Sequence, residues 1–273
     1  MNSVQIVSYF LQGNSFPVVL KRDEGTFFVK LREGMSGEFA IISEWFGNRL
    51  GNRIGLNTRA PFWITIPENV EFNDIYIEVR ELVAKSVGLN IGFKYITDIQ
   101  EVSIGELTSI NDETLTNIFL FDILMMNIDR TTTNLNLLSI SGKPTISDFD
   151  SSLLFNEIAY GRDLLADNRI LQCFRANPFY RNVENAKVDL FLEKVNGAAI
   201  DSIVDEIPSE IIDDARREVL MKGLQERSKN GWRIKEVLEK LERVTLETEE
   251  ERNNRIRKNR EKLEKLVKGS ASN

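Results

Sequence analysis

Hydrophobic and polar positions change rhythm along this chain, from short β-like runs in the first hundred residues to helical spacing in the last ninety. Val18, Val19 and Leu20 lead into Arg22-Asp23-Glu24-Gly25, and Thr26 to Leu31 return, so residues 18–31 predict a β-hairpin. Leu11-Gln12-Gly13-Asn14-Ser15 reads as the loop that feeds it. Ser36 is placed to cap a helix over 37–50, whose apolar stripe is Phe39, Ile42, Trp45, Phe46 and Leu50. Gly51 and Gly55 stand where that helix and its extension would end. Residues 60–66 predict a strand stopped by Pro67, and 74–87 fit helix or strand. Gly88 and Gly92 bracket a short segment running into another strand at 93–96.

The second half reads differently. Asp112 is placed to cap a strongly apolar helix over 113–126, with Phe119, Ile123 and Met126 expected to be deeply buried. After it come a polar loop, a strand at 135–140, a turn at Ser141-Gly142-Lys143, a second strand at 144–147 and a loop from Asp148. From about 184 the pattern is helical. Ser209 after Pro208 predicts a helix start running to about 227, Asn230-Gly231 a break, and 232–243 a further helix. Residues 246–268 are charged nearly all round, with Ile256, Leu263, Leu266 and Val267 as a thin stripe, which suits a projecting, solvated helix or a weak coiled coil.

This order, β-rich first and helix-rich last, predicts an α+β body of two lobes with a site in the cleft between them. The expected divisions are 1–98, 99–244 and a charged helix and tail at 245–273.

Composition prunes the chemistry. The chain has 273 residues and no histidine, which excludes Ser-His-Asp and Cys-His catalysis and the usual zinc sites. Proton transfer must therefore fall to Asp, Glu, Lys or Tyr. A net charge of −7 argues against a dedicated nucleic-acid binder. No apolar run approaches the roughly 20 residues of a membrane span, and the N-terminal segment lacks the basic-then-apolar form of a secretory leader. With Cys173 as the one cysteine, a reducing cytoplasm is the expected address.

One stretch concentrates polar chemistry. Asn127-Ile128-Asp129-Arg130-Thr131-Thr132-Thr133-Asn134 lies between a buried helix and a hairpin, and Asp148 follows in Ile146-Ser147-Asp148-Phe149-Asp150. Asp and Asn are also ordinary turn residues, so the Asp-x4-Asn spacing alone is a weak signal. With the hairpin and the strand-terminal Asp-Phe, it matches the order in which a kinase presents its phosphoryl-transfer groups, with oxygen ligands suited to a hard cation. Lys30, in Phe28-Val29-Lys30-Leu31, is placed like a lysine that reaches the α/β-phosphates, and Glu44 in the next helix is placed to pair with it. An edge-strand lysine and a surface glutamate are the plainer alternative.

The stretches GTFFVKL, SEWFGNRLGNRIGL, GLNIGFKY, FDILMMNIDRTTTNLNLL and TISDFDSSLLF resemble the HipA-like branch of the protein-kinase-like superfamily, above all its compact single-domain members. The resemblance is carried by residues 4–155 and reaches the helical remainder only by architecture. Phosphatidylinositol kinases share a similar Asp-Arg-x3-Asn loop, so that motif does not separate protein from lipid substrates. The resemblance implies a two-lobe kinase-like fold and an ATP- and Mg²⁺-dependent transfer to a hydroxyl, most plausibly Ser or Thr of a protein, in a toxin or regulatory setting. It implies Asp129 as the catalytic Asp, Asn134 and Asp148 as Mg²⁺ ligands, Lys30 as the ATP-phosphate lysine and Glu44 as its partner. Asp122 resembles a helix Asp that braces the catalytic loop, although a helix-surface charge fits it nearly as well. Ser15, in the phosphate-covering loop, is the nearest candidate for autophosphorylation. The expected partners are a protein substrate and a protein held through the charged C-terminal helix, with neither membrane nor nucleic acid.

Two departures stand out. Thr131 replaces a histidine common after Asp-Arg, and Asp150 replaces a glycine common two positions after the metal-binding Asp. The second keeps open a nucleotide-binding pseudokinase acting as an interaction module, and the loop shared with phosphatidylinositol kinases keeps open a lipid or small-molecule kinase.

Overall fold

The computed structural model describes residues 4–11, 16–35, 37–248 and positions 250, 251, 254, 257, 258 and 260. It is a mixed α+β molecule, with a β-sheet N-terminal region and a helical C-terminal region. A six-stranded sheet is formed by β1 (Gln5–Tyr9), β2 (Val18–Arg22), β3 (Gly25–Lys30), β4 (Pro61–Ile66), β5 (Glu71–Phe72) and β6 (Gly88–Lys94), in the order β4-β6-β3-β2-β1-β5. Its neighbours are antiparallel except for the parallel β1–β5 pair.

Strand alternation sorts β3 between two faces. Phe27 and Val29 enter a core with Ile6, Leu20 and Ile64, covered by Val79 and Val83 of α2 (Ile77–Lys85). Phe28 and Lys30 face the other way, into the cleft. Residues 74–87 thus settle as a helix because an outer sheet face needs an apolar cover. The strand expected at 93–96 is instead β6, since Gly88 to Phe93 pair with Ile66 to Pro61 and the ladder stops at Lys94.

The second core is larger. Its centre is α3 (Asp112–Met125), ten of whose fourteen residues are buried. Around it lie α1 (Ala40–Arg53), α4 (Leu154–Tyr160), α5 (Asn168–Ala176), α6 (Asn185–Asn196), α7 (Ile200–Asp205), α8 (Asp214–Lys229) and α9 (Ile234–Leu241). A three-stranded sheet of β7 (Ile99–Glu101), β8 (Leu137–Ile140) and β9 (Lys143–Ile146) borders the cleft. Although α1 is threaded between strands of the first sheet, Phe39, Ile42, Trp45, Phe46 and Leu50 all join this second core. It is buried on nearly every side, Glu44 and Asn48 included, rather than along one stripe.

Several boundaries differ from expectation, each for a local reason. Asn111, not Asp112, caps α3, its side chain accepting the Thr114 N–H at 2.8 Å. The helix expected from Ser209 starts at Asp214, capped by Asp213, because Ile211 and Ile212 first turn back onto the Pro208 carbonyl. Asn136 is left-handed (φ 46°), so β8 begins at Leu137 rather than at 135. α1 continues through Gly51, and Gly55 (φ 87°) turns the chain after it. Helices α4 and α5 precede residue 184. The proposed Ser36 cap lies outside the described residues, as do positions 249, 252, 253, 255, 256, 259 and 261–268 of the charged segment, and with them its whole apolar stripe. Among the described residues, no helix is long and apolar enough to cross a membrane.

Candidate active site

Three chain segments meet at Lys30. Strand β3 ends there and points its side chain away from the first core, leaving it 8% exposed. Its ammonium lies 3.1 Å from Glu44 Oε2, 2.7 Å from Asp148 Oδ1 and 3.4 Å from Asp150 Oδ2. Burial alone would pull the lysine down, but the three carboxylates prevail and hold it well above its ordinary range. Glu44 does more than pair with it. Its Oε2 also accepts the Phe149 N–H at 2.7 Å, and its Oε1 accepts from Asn48 Nδ2 at 3.1 Å. A single buried carboxylate thus joins β3, α1 and the segment after β9.

Phe149 is seated by shape. Its ring is fully buried, edge-on to Phe121 at 5.6 Å, and lies against α1 at Gly47. A Cβ at Gly47 would fall 2.5 Å from Phe149 Cγ, so this close approach requires glycine. Asp148 just before it is left-handed (φ 65°), which turns its carboxylate toward Lys30 while leaving the side chain 37% exposed to the cleft.

The polar loop is built from beneath. Arg130 and Asp122 form a pair with both side chains fully buried, at 2.8 and 3.0 Å. Asp122 also accepts from Asn127 at 3.3 Å and from Asn177 at 2.9 Å. The other arm of Arg130 donates to the carbonyls of Leu135 (2.5 Å) and Asn136 (2.9 Å). Asp122 therefore braces this loop and is no surface charge. With the backbone so held, Thr131 and Asn134 close a turn through reciprocal backbone bonds. Asn134 and Asn136 then both donate to Asp129 Oδ2, at 3.1 and 3.2 Å. Burial raises the Asp129 carboxyl above its ordinary value, against the Asn136 hydrogen bond that lowers it. Asp148 moves down, because Lys30 outweighs its burial. Asp150 is pushed up to about 6 by burial and by Asp148 and Glu44, despite Lys30.

These groups line one cleft of about 1150 Å³. Lys30, Glu44, Asp129, Asn134 and Asp148 all face it, together with Asn136, Asp150 and Arg59. Ser15 lies outside the described residues. Sequence reasoning missed three contributors. Asn136 was visible only as the second half of Asn-Leu-Asn, and Asn177, far along the chain, left no local signal. Arg59 stacks on Phe28 and Phe93 (5.3 and 4.7 Å to the ring centroids), and burial lowers it to about 10, opposed by Glu44.

The donor set suits a hard divalent cation with phosphate ligands. Asp148, Asp150 and Asp129 bring carboxylate oxygens to the cleft and Asn134 an amide, and Lys30 alone does not balance the carboxylates around it. Among the described residues, no group of three or more acidic or cysteine side chains converges as a self-sufficient cage. Two protein oxygens completed by phosphates and waters is how Mg²⁺ is usually held.

The family model for HipA-like kinases matches residues 4–247. A search of curated proteins finds no match. Among solved structures, the Helicobacter pylori proinflammatory kinase CtkA is similar in fold, with a TM-score of 0.50 at 14% identity; the match covers 89% of this chain and 100% of that one.

Proposed function

The chain belongs to the HipA-like kinase family, and from that premise we propose that it transfers the γ-phosphate of ATP, with Mg²⁺, to a hydroxyl of Ser or Thr in a protein. The observation that carries this reading is Glu44, which in one buried contact set holds both Lys30 and the Phe149 amide beside Asp148. That arrangement places a cation and a metal-type carboxylate side by side before any ligand arrives, which is the preorganisation phosphoryl transfer depends on.

Each residue then has a role. Lys30 binds phosphate oxygens, and Glu44 keeps it from collapsing onto Asp148 alone. Asp148 and Asn134 would hold the metal, which neutralises charge developing on the phosphates. Asp129 accepts the proton of the attacking hydroxyl. Both amides bind its Oδ2, so Oδ1 remains for that task, and its raised pKa makes it the better base. Arg130 and Asp122 do not meet the substrate; they fix the loop.

Incubation with γ-labelled ATP and Mg²⁺ in cell lysate, wild type against Asp129→Ala, tests the reading. Label should enter protein with the wild type only, and the variant should still bind ATP. Equal labelling by the variant removes Asp129 from the chemistry. A second reading, a nucleotide-binding pseudokinase, is favoured by one contact: Asp150 sits 3.4 Å from Lys30 and competes with Asp148 for it. ATP binding without transfer by the wild type would select that reading.

A further inference from the structure

Helix α1 carries a second functional face beside Glu44. Trp45, Arg49 and Arg53 recur every four residues, so they line up along one side of the helix. All three grip the segment around α7. Trp45 Nε1 donates to the Ile203 carbonyl at 3.3 Å. Arg49 Nε donates to Glu206 Oε2 at 2.8 Å, and Arg53 Nη2 to Glu206 Oε1 at 3.0 Å. Arg53 Nη1 reaches the Ala198 and Ala199 carbonyls (3.0 and 2.8 Å) and Ser202 Oγ (2.6 Å). Trp63 of β4 stacks on Trp45, with centroids 4.6 Å apart, and donates to the Glu206 carbonyl at 3.3 Å. Glu206 thus takes α1 by its side chain and β4 by its backbone. Neither Glu206 nor the residues gripping it line the cleft.

Lys30 and the Phe149 amide are both set by Glu44, and Glu44 moves with α1 as a rigid body. An outward swing or roll of the helix would break both contacts at once. We propose that Glu206 is a positioning residue for phosphotransfer: it latches α1 to the helical body and so fixes the Lys30–Glu44–Phe149 set without help from a ligand or partner. The inference rests on the phosphotransferase reading of the cleft. Two arginines converging on both oxygens of one carboxylate make a directional clamp, unlike a single exposed ion pair.

The test compares wild type, Glu206→Gln, Glu44→Gln and the double variant, reading kcat and KM for ATP together with hydrogen exchange of the α1 amides. Glu206→Gln should lower kcat about five- to tenfold by reducing the competent fraction, with the melting temperature little changed. Exchange across residues 44–53 should quicken by a similar factor while α8 stays as it was. In the Glu44→Gln background, adding Glu206→Gln should cost nothing more, because its effect runs through Glu44. Additive losses in kcat, or unchanged α1 exchange, would overturn the proposal. If the wild type transfers no phosphate, the phosphotransferase reading fails, and the α1 exchange alone decides whether the latch exists. Should Glu206→Gln not fold, Arg49→Lys, which keeps the charge and loses the fork, is read by the same measurements.

Discussion

Replacing Asp122 with alanine should be among the most damaging single changes in the molecule, and the geometry gives the size of the effect. The carboxylate accepts four hydrogen bonds, two from Arg130 and one each from Asn127 and Asn177. Neither it nor the Arg130 side chain meets solvent. Alanine would leave a guanidinium buried without its counter-charge, a situation that costs about 3–5 kcal/mol. For a domain of this size each kcal/mol lowers the melting temperature by roughly 2–4 °C, so a fall of about 6–20 °C is expected by circular dichroism. Transfer activity should fall further than stability, because Arg130 also holds the Leu135 and Asn136 carbonyls that set Asn134 and Asn136 against Asp129. The double change Asp122→Leu with Arg130→Met removes both charges and should cost less than the sum of the singles. A loss under about 1 kcal/mol for Asp122→Ala, or strict additivity in the pair, would refute the reasoning.

Gly47→Ala should destabilise by about 1–3 kcal/mol through overpacking against Phe149, and weaken ATP binding by disturbing the Phe149 amide at Glu44; an unchanged melting curve and affinity would show that Phe149 has room to move. Asp150, raised from 3.8 to about 6, keeps its proton in the folded state after the unfolded chain has lost it. Stability should therefore fall as pH rises from about 4 to about 6, by up to about 3 kcal/mol. Urea titrations across that window should show the slope in wild type and not in Asp150→Asn; the same slope in both assigns it elsewhere. Asn136→Leu removes one of two amides from the Asp129 carboxylate, a hydrogen bond to a charged group worth about 1.5–3 kcal/mol, so kcat should drop roughly ten- to a hundredfold. Wild-type turnover in that variant would mean that Asn134 alone orients Asp129.

What was legible in the sequence followed from locality. The hairpin carrying Lys30, the buried α3 and the Asp129-to-Asn134 turn are each specified by residues a few positions apart, through alternation, periodicity and turn chemistry. The Lys30–Glu44 pairing was inferable because strand and helix adjoin, and the structure brings the two within 3.1 Å. Boundaries failed where a neighbour competes for the same role. Asn111 precedes Asp112 and takes the cap, and Pro208 captures Ile211 and Ile212 before a helix can start at Ser209. Long-range assembly left no trace. The Phe149 amide lies 105 positions from Glu44, Asn177 lies 55 from Asp122, and Glu206 lies 157 from Arg49. No periodicity encodes such pairs; they exist because two packed bodies bring their surfaces together.

That division bears on how the cleft is held. The local motifs supply the candidate reactive groups, but Lys30 ends β3, Asp129 lies in the loop after α3 and Asp148 in the segment after β9. Their mutual geometry is set by buried groups that do not react: Glu44 on α1, Asp122 on α3 and Asn177 after α5. Two of these three belong to elements whose apolar sides join the helical core. The electrostatics point the same way. Lys30 is surrounded by three carboxylates in a site where charge is poorly screened, and without a rigid frame it would pair tightly with one of them and close the cleft. Because Glu44 arrives on a helix buried nearly all round, the lysine is shared rather than captured. Packing remote from the cleft therefore sets how Lys30 is divided among the three carboxylates around it.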